Sequence, residues 1–158
     1  MIKLFGILAI LVSAMMLVSE IKKRMNSILL QESEILRFIR HIRKRVECYL
    51  SPIGEWCSGF SSDELTSCGM ISEGRVSDAA YFKSDKRLLV SEAERQMLFD
   101  FFSGAGVGYL QNELERIEKL EERFCVICEN NAKEIPRRVK CCEVIIVSVA
   151  LGLSILLL

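Results

Sequence analysis

Apolar and polar positions are segregated along this chain rather than interleaved evenly. Leu4 to Ser19 (LFGILAILVSAMMLVS) carries no charge, and neither does Val144 to Leu158 (VIIVSVALGLSILLL). Lys3 is the only ionisable side chain before Glu20, and none follows Glu143. A helix that is apolar on every side belongs in a protein core or in a membrane. At 1.5 Å per residue each run makes roughly 22–24 Å of helix, against a bilayer core of about 30 Å. Ile2, the stem of a snorkelling Lys3, Cys141 and Cys142 extend the two runs, and slight thinning of the bilayer absorbs the remainder. The pattern therefore divides the chain into an N-terminal transmembrane segment (1–19), a central helical domain (20–143) and a C-terminal transmembrane segment (144–158).

Between these ends the periodicity becomes helical and one-sided. Ile21, Met25, Ile28, Ile35, Leu36, Ile39, Ile42, Val46 and Tyr49 recur at spacings of three and four, broken once at Glu32. They predict a long helix that continues from the first apolar run, with no Gly or Pro between, and ends before Pro52. Ser51-Pro52 is suited to starting a short helix. Residues 57–90 are rich in Ser and Gly and predict two or three short helices, with turns near Gly59, Gly69 and Gly74. Ser91-x-x-Glu94 is a capping box ahead of Met97, Leu98, Phe101 and Phe102. Gly104, Gly106 and Gly108 end that helix. A second long helix follows from Tyr109 to about Ala132, with Leu110, Leu114, Ile117, Leu120, Phe124 and Ile127 as its stripe. Its outer faces carry Glu113, Glu115, Glu118, Glu121 and Glu122. The first long helix is instead basic, at Arg37, Arg40, Arg43, Lys44 and Arg45. Opposite charge bias on two helices of similar length predicts an antiparallel pair. The fold class expected is all-α: two long antiparallel helices, short helices between them, and an apolar membrane helix at each terminus.

Charge sets the expected orientation. The chain holds 21 basic and 21 acidic residues, so nothing favours nucleic acid or general attraction to anionic lipid. Lys22, Lys23 and Arg24 follow the first apolar run, and Arg137, Arg138 and Lys140 precede the second. Both clusters flank the central domain, which the positive-inside rule places in the cytoplasm. Seven cysteines, odd in number and irregular in spacing, suit a reducing compartment better than a disulfide framework. The rival expectation is a cleaved signal peptide at Val12-Ser13-Ala14. Continued apolar sequence through Val18 and the basic triplet after it weigh against that.

Few residues suggest chemistry. Cys125-x-x-Cys128 is a candidate redox or metal pair, with Cys141 and Cys142 as the other nearby thiols. No βαβ pattern surrounds it, and a helical pair also packs as core. His41, the sole histidine, stands among arginines with no Ser or Asp partner in sequence. Trp56 near Phe60 reads as a core or interface anchor, and Glu121-Glu122 as a solvated face. The Gly104–Gly108 run lacks the Lys-Ser/Thr and the preceding strand of a phosphate loop, so it reads as a tight helix–helix turn. The expectation is a non-enzymatic chain that takes no cofactor, metal, nucleic acid or small-molecule substrate. Arg37, Arg40, Arg43 and Lys44 are expected as a contact surface or, equally, as a solvated face balanced by the acidic helix.

The order and spacing of several short motifs resemble the stage III sporulation protein AB family of endospore-forming Firmicutes. They are Met1-Ile2-Lys3-Leu4-Phe5-Gly6 with Ser13; Phe38-Ile39 through Ile42-Arg43, Val46-Glu47, Tyr49 and Pro52-Ile53; Phe101-Phe102-Ser103-Gly104 with Gln111; and Lys140 with Gly152 to Leu158. Ser103 stands where the family has Leu, Val107 where it has an acidic residue, and Ser148 where it has a membrane glycine. The resemblance implies a platform subunit of the channel complex joining mother cell and forespore. Such a subunit is similar to the cytoplasmic domains of type II secretion platforms and contacts a secretion-type ATPase, other channel proteins and membrane lipid. It also implies the outer forespore membrane, with the central domain in the mother-cell cytoplasm, and it adds contact at the turn holding Gly104, Gly106, Gly108 and Gln111. Two other functions fit the residues: a membrane-tethered Cys-based redox or metal protein, and a secretion platform outside sporulation.

Overall fold

The computed structural model describes residues 2–49, 52–105 and 110–157. The order is α1 (Ile2–Tyr49), a 3-10 turn (Ile53–Glu55), α2 (Asp63–Ser67), β1 (Ile71–Ser72), β2 (Arg75–Val76), α3 (Ala79–Ser84), α4 (Glu92–Ser103) and α5 (Leu110–Leu157). The fold is all-α apart from one two-stranded ribbon, as the periodicity predicts. Residues 1–27 with 130–158 form one compact unit, and residues 28–129 form another.

In the first unit the N-terminal part of α1 lies beside the C-terminal part of α5. Lys22 Nζ meets the Glu143 carboxylate at 2.9 Å. Ile10, Ala14 and Leu17 share an apolar groove with Ile146, Val149 and Leu153. Ala150 and Ser154, one turn apart, are buried, and the Ser154 hydroxyl donates to the Ala150 carbonyl at 2.7 Å. Small residues of this kind let helices approach closely in an apolar solvent. The large apolar side chains point outward instead: Phe5 is 78% exposed and Leu156 84%. Both long helices are long and apolar enough to cross a membrane.

The second long helix outruns its sequence prediction. It does not stop near Ala132 but continues to Leu157 with Pro136 inside it. A proline there removes one backbone hydrogen bond and crowds the preceding turn. Pro136 is exposed, and the helix holds on either side of it.

The second unit carries the larger core. Arg43 meets Glu118, Arg40 meets Glu121, and the Cys128 thiol donates to the Glu32 carbonyl. Numbers that rise on α1 fall on α5, so the helices run antiparallel. Ile35, Phe38, Ile39 and Ile42 of α1 and Ile117 and Phe124 of α5 are at most 1% exposed within one core cluster. The intervening elements complete it with rings: Phe82 stacks on Phe102 at 5.0 Å, and Trp56 on Phe101 at 5.9 Å. Trp56 is thus a core anchor, packed on Phe101.

Two sequence expectations change here. The stretch 57–90 contains a hairpin as well as short helices, with Ile71 opposite Val76 and Ser72 opposite Arg75. Glu73 and Gly74 both have positive φ (50° and 72°), the turn that suits a two-residue hairpin. Glu113, expected on an outer face, is 6% exposed and pairs with Arg116 at 3.1 Å. Burial of that carboxylate follows from the position of the α4 C-terminus, where Arg116 is held.

Irregular backbone between the elements is tied down by side chains from the helices. Gln31, itself buried, accepts from the Leu89 N–H at 2.8 Å and donates to the Arg87 carbonyl at 3.2 Å. Arg95 donates to the carbonyls of Asp85, Leu88 and Val90. The capping box is present, with the Ser91 N–H donating to Glu94 at 2.7 Å. A fully buried amide left without an acceptor costs about 1–3 kcal/mol, and the Leu89 N–H is only part-buried, so Gln31→Leu should destabilise the fold by about 1 kcal/mol. Urea unfolding of the full chain in detergent, followed by helical circular dichroism, measures it; an unchanged midpoint would contradict the clamp.

Candidate interaction surface

The basic residues of α1 separate into two roles according to what faces them. Arg43 turns toward α5 and is shared by Glu47 at 2.8 Å, Glu118 at 2.7 Å and Glu121 at 3.2 Å. Hydrogen bonds that it donates to Glu47 and Glu121 hold its guanidinium charged well above the ordinary arginine range. Arg43 therefore serves the pairing of the two long helices. Arg40 stands at the boundary, 3.1 Å from Glu121 yet 56% exposed.

Arg37, Arg40, His41 and Lys44 occupy positions i, i+3, i+4 and i+7 and so lie along one face of α1. Together with Gly59, Phe60 and Ser61 they line an open groove of about 550 Å³. Arg37 is aimed by three neighbours. It pairs with Glu34 at 2.7 Å, donates to the Ser61 carbonyl at 2.7 Å, and lies 5.0 Å from the Phe60 ring centre. The His41 Nε2 lies 3.1 Å from the Ser58 carbonyl, which only accepts, so this nitrogen carries the proton. The Phe60 ring is wedged between Phe38 at 4.9 Å and His41 at 5.3 Å. Lys44 is exposed and has no carboxylate within 4.0 Å among the described residues.

The glycine turn is a separate place. Gly104 closes α4, and Gln111 is exposed in the first turn of α5, while Gly106 and Gly108 lie outside the described residues. Arg116 fills the end of α4 by donating to the carbonyls of Phe101 at 3.0 Å, Asp100 at 3.4 Å and Gly104. These are the carbonyls that a helix C-terminus leaves unpaired, and a cation suits them. A Cβ at Gly104 would stand 2.7 Å from the Arg116 guanidinium, which explains a glycine there without a ligand. Among the described residues no hydrogen bond or ion pair joins Gly104 or Gln111 to the arginine face.

Sequence reasoning missed Phe60 and the 59–61 loop as parts of the basic surface. The basic residues Arg37, Arg40 and Lys44 stand out in the sequence, but the partner loop arrives from beyond the helix end and leaves no local signal. Arg116 had no signal either, since its role depends on where α4 stops.

The two thiols have different partners. Cys128 is half-buried and donates to the Glu32 carbonyl at 3.6 Å, whereas Cys125 contacts Glu129 and Arg40. Burial first, then the nearby Glu32 charge, pushes the Cys128 thiol up to about 12. Burial also raises Cys57. Only thiolates react, so in single-cysteine variants at pH 8 Cys128 should be alkylated at least about a hundredfold more slowly than exposed Cys48. Equal rates in a timed iodoacetamide reaction would contradict this and restore Cys128 as a reactive group.

The chain matches no protein-family model, no curated protein and no solved structure.

Proposed function

We propose that this chain is a non-enzymatic platform subunit of a membrane secretion-like complex, the channel complex between mother cell and forespore. In this reading the apolar ends of α1 and α5 both span the membrane, and the helical unit of residues 28–129 stands in the cytoplasm. The observation that carries it is the pair of continuous helices, each apolar and outward-facing at its terminal end and striped and core-forming in its inner part. A chain of that design holds a folded helical unit at a membrane surface. Lys22, Lys23 and Arg24 after one span, and Arg137, Arg138 and Lys140 before the other, favour the cytoplasmic side for that unit.

The sporulation setting and the secretion-type ATPase partner rest on the resemblance of Phe38-Ile39, Ile42-Arg43, Pro52-Ile53, the Phe101–Gly104 turn and Gln111 to the stage III sporulation protein AB pattern. The exposed groove beside Arg37 and Lys44 supports a role in protein contact, because it offers aimed charge and an aromatic ring to a partner.

Affinity purification of the tagged full chain from sporulating cells in mild detergent tests the proposal. A secretion-type ATPase should co-purify, and deletion of the gene should arrest spore formation after the forespore is enclosed. Recovery of the intact membrane protein without that ATPase, or normal spore formation without the chain, would contradict it.

A further inference from the structure

We propose that the groove between α1 and the 59–61 loop is a docking site for an acidic, extended peptide segment of a protein partner. The inference rests on the platform reading only in treating this face as a contact surface.

The groove is basic. Arg37, Arg40 and Lys44 bring positive charge to the groove, His41 lies among them, and no carboxylate lines it. The carboxylates that pair with two of them stand outside it: Glu34 holds Arg37, and Glu121 holds Arg40, each from its flank. Those contacts aim the guanidinium groups while leaving the side chains 55% and 56% exposed. A cation already fixed in direction loses less entropy when it binds a carboxylate than a free one. Lys44, with no such partner among the described residues, supplies a further charge along the same face. The adjoining groove shares Arg37 and Ser61 and is lined by Glu34, Asp63 and Glu64, so the positive charge is confined to the Arg40–Lys44 end of the face.

The shape and surface of the groove suit an extended segment. Phe60 is half-buried, supported from behind by Phe38, and forms an apolar patch among the cations. The groove is wide and open, and small-molecule sites enclose most of their ligand. A strip of backbone with carboxylates spaced along it, and an apolar side chain set on Phe60, suits an open trough lined at i, i+3, i+4 and i+7.

The test measures fluorescence anisotropy of a fluorescein-labelled oligo-glutamate peptide with one central phenylalanine, titrated with the full chain in detergent. Binding that weakens with salt is expected. Lys44→Glu should weaken it about tenfold, and Lys44→Ala by less, in keeping with removal of one rim charge against its reversal. Lys119→Glu, on α5 and outside the groove, should leave it unchanged. Helical circular dichroism identical to the parent shows that each variant is folded. Equal binding by parent and Lys44→Glu would overturn the site, and so would equal losses from Lys44→Glu and Lys119→Glu. Tighter Lys44-dependent binding of a labelled oligothymidylate, or of vesicles containing phosphatidylglycerol, would also overturn it, because the groove would then serve phosphate and not a peptide. If the ATPase co-purifies while the peptide fails to bind, the groove assignment alone is wrong. If the peptide binds but no ATPase co-purifies, the platform reading is what fails.

Discussion

Everything in the unit formed by residues 28–129 depends on the antiparallel packing of α1 against α5. Its strength and its register have different sources. Strength comes from side chains such as Phe38 and Phe124, since truncating a buried aromatic costs about 3–5 kcal/mol. The ion pairs of Arg40 and Arg43 join groups more than a third exposed on the arginine side, and such pairs contribute at most about 1 kcal/mol. Their value lies in choice: a slip of one turn would end the simultaneous contact of Arg43 with Glu118 and Glu121. Apolar contact alone tolerates such slips far better.

The packing also makes the irregular connection possible. Once α1 is in place, Gln31 presents a donor and an acceptor to the strip at residues 87–89. Arg95 and Arg116 then gather carbonyls that no regular element satisfies. Buried backbone polar groups must be paired, and here long side chains on helices do what a sheet would otherwise do. This is why only a two-strand ribbon, Ile71–Ser72 with Arg75–Val76, is enough to join the helices.

Much of this architecture is legible in the sequence because it is written in local periodicity. The Ile35–Val46 stripe, the Ile117–Phe124 stripe, the capping box at Ser91 and the uncharged ends each state their own structure. The burial of Glu113 is not legible, since a glutamate among glutamates on a helix looks solvated until α4 and Arg116 meet it. Continuation of α5 through Pro136 is hidden for a similar reason: proline signals a break locally, and the turns around it override that signal. Of the candidate surface, Arg37, Arg40 and Lys44 stand out in the sequence by their charge. Phe60 was not, because its place beside them is a long-range result of the loop returning across α1. Arg43 looked like part of the same surface and is instead committed to α5.

The central claim is that a folded helical unit is held on the cytoplasmic face by two membrane spans. Cys57 and Cys68 are buried and unsuited to testing it, whereas Cys48 is exposed. The most direct measurement is labelling of a variant that keeps Cys48 alone, using a membrane-impermeant maleimide on intact cells and on inverted membrane vesicles. The account predicts labelling in inverted vesicles only. Labelling of intact cells would place the unit outside the membrane and contradict it.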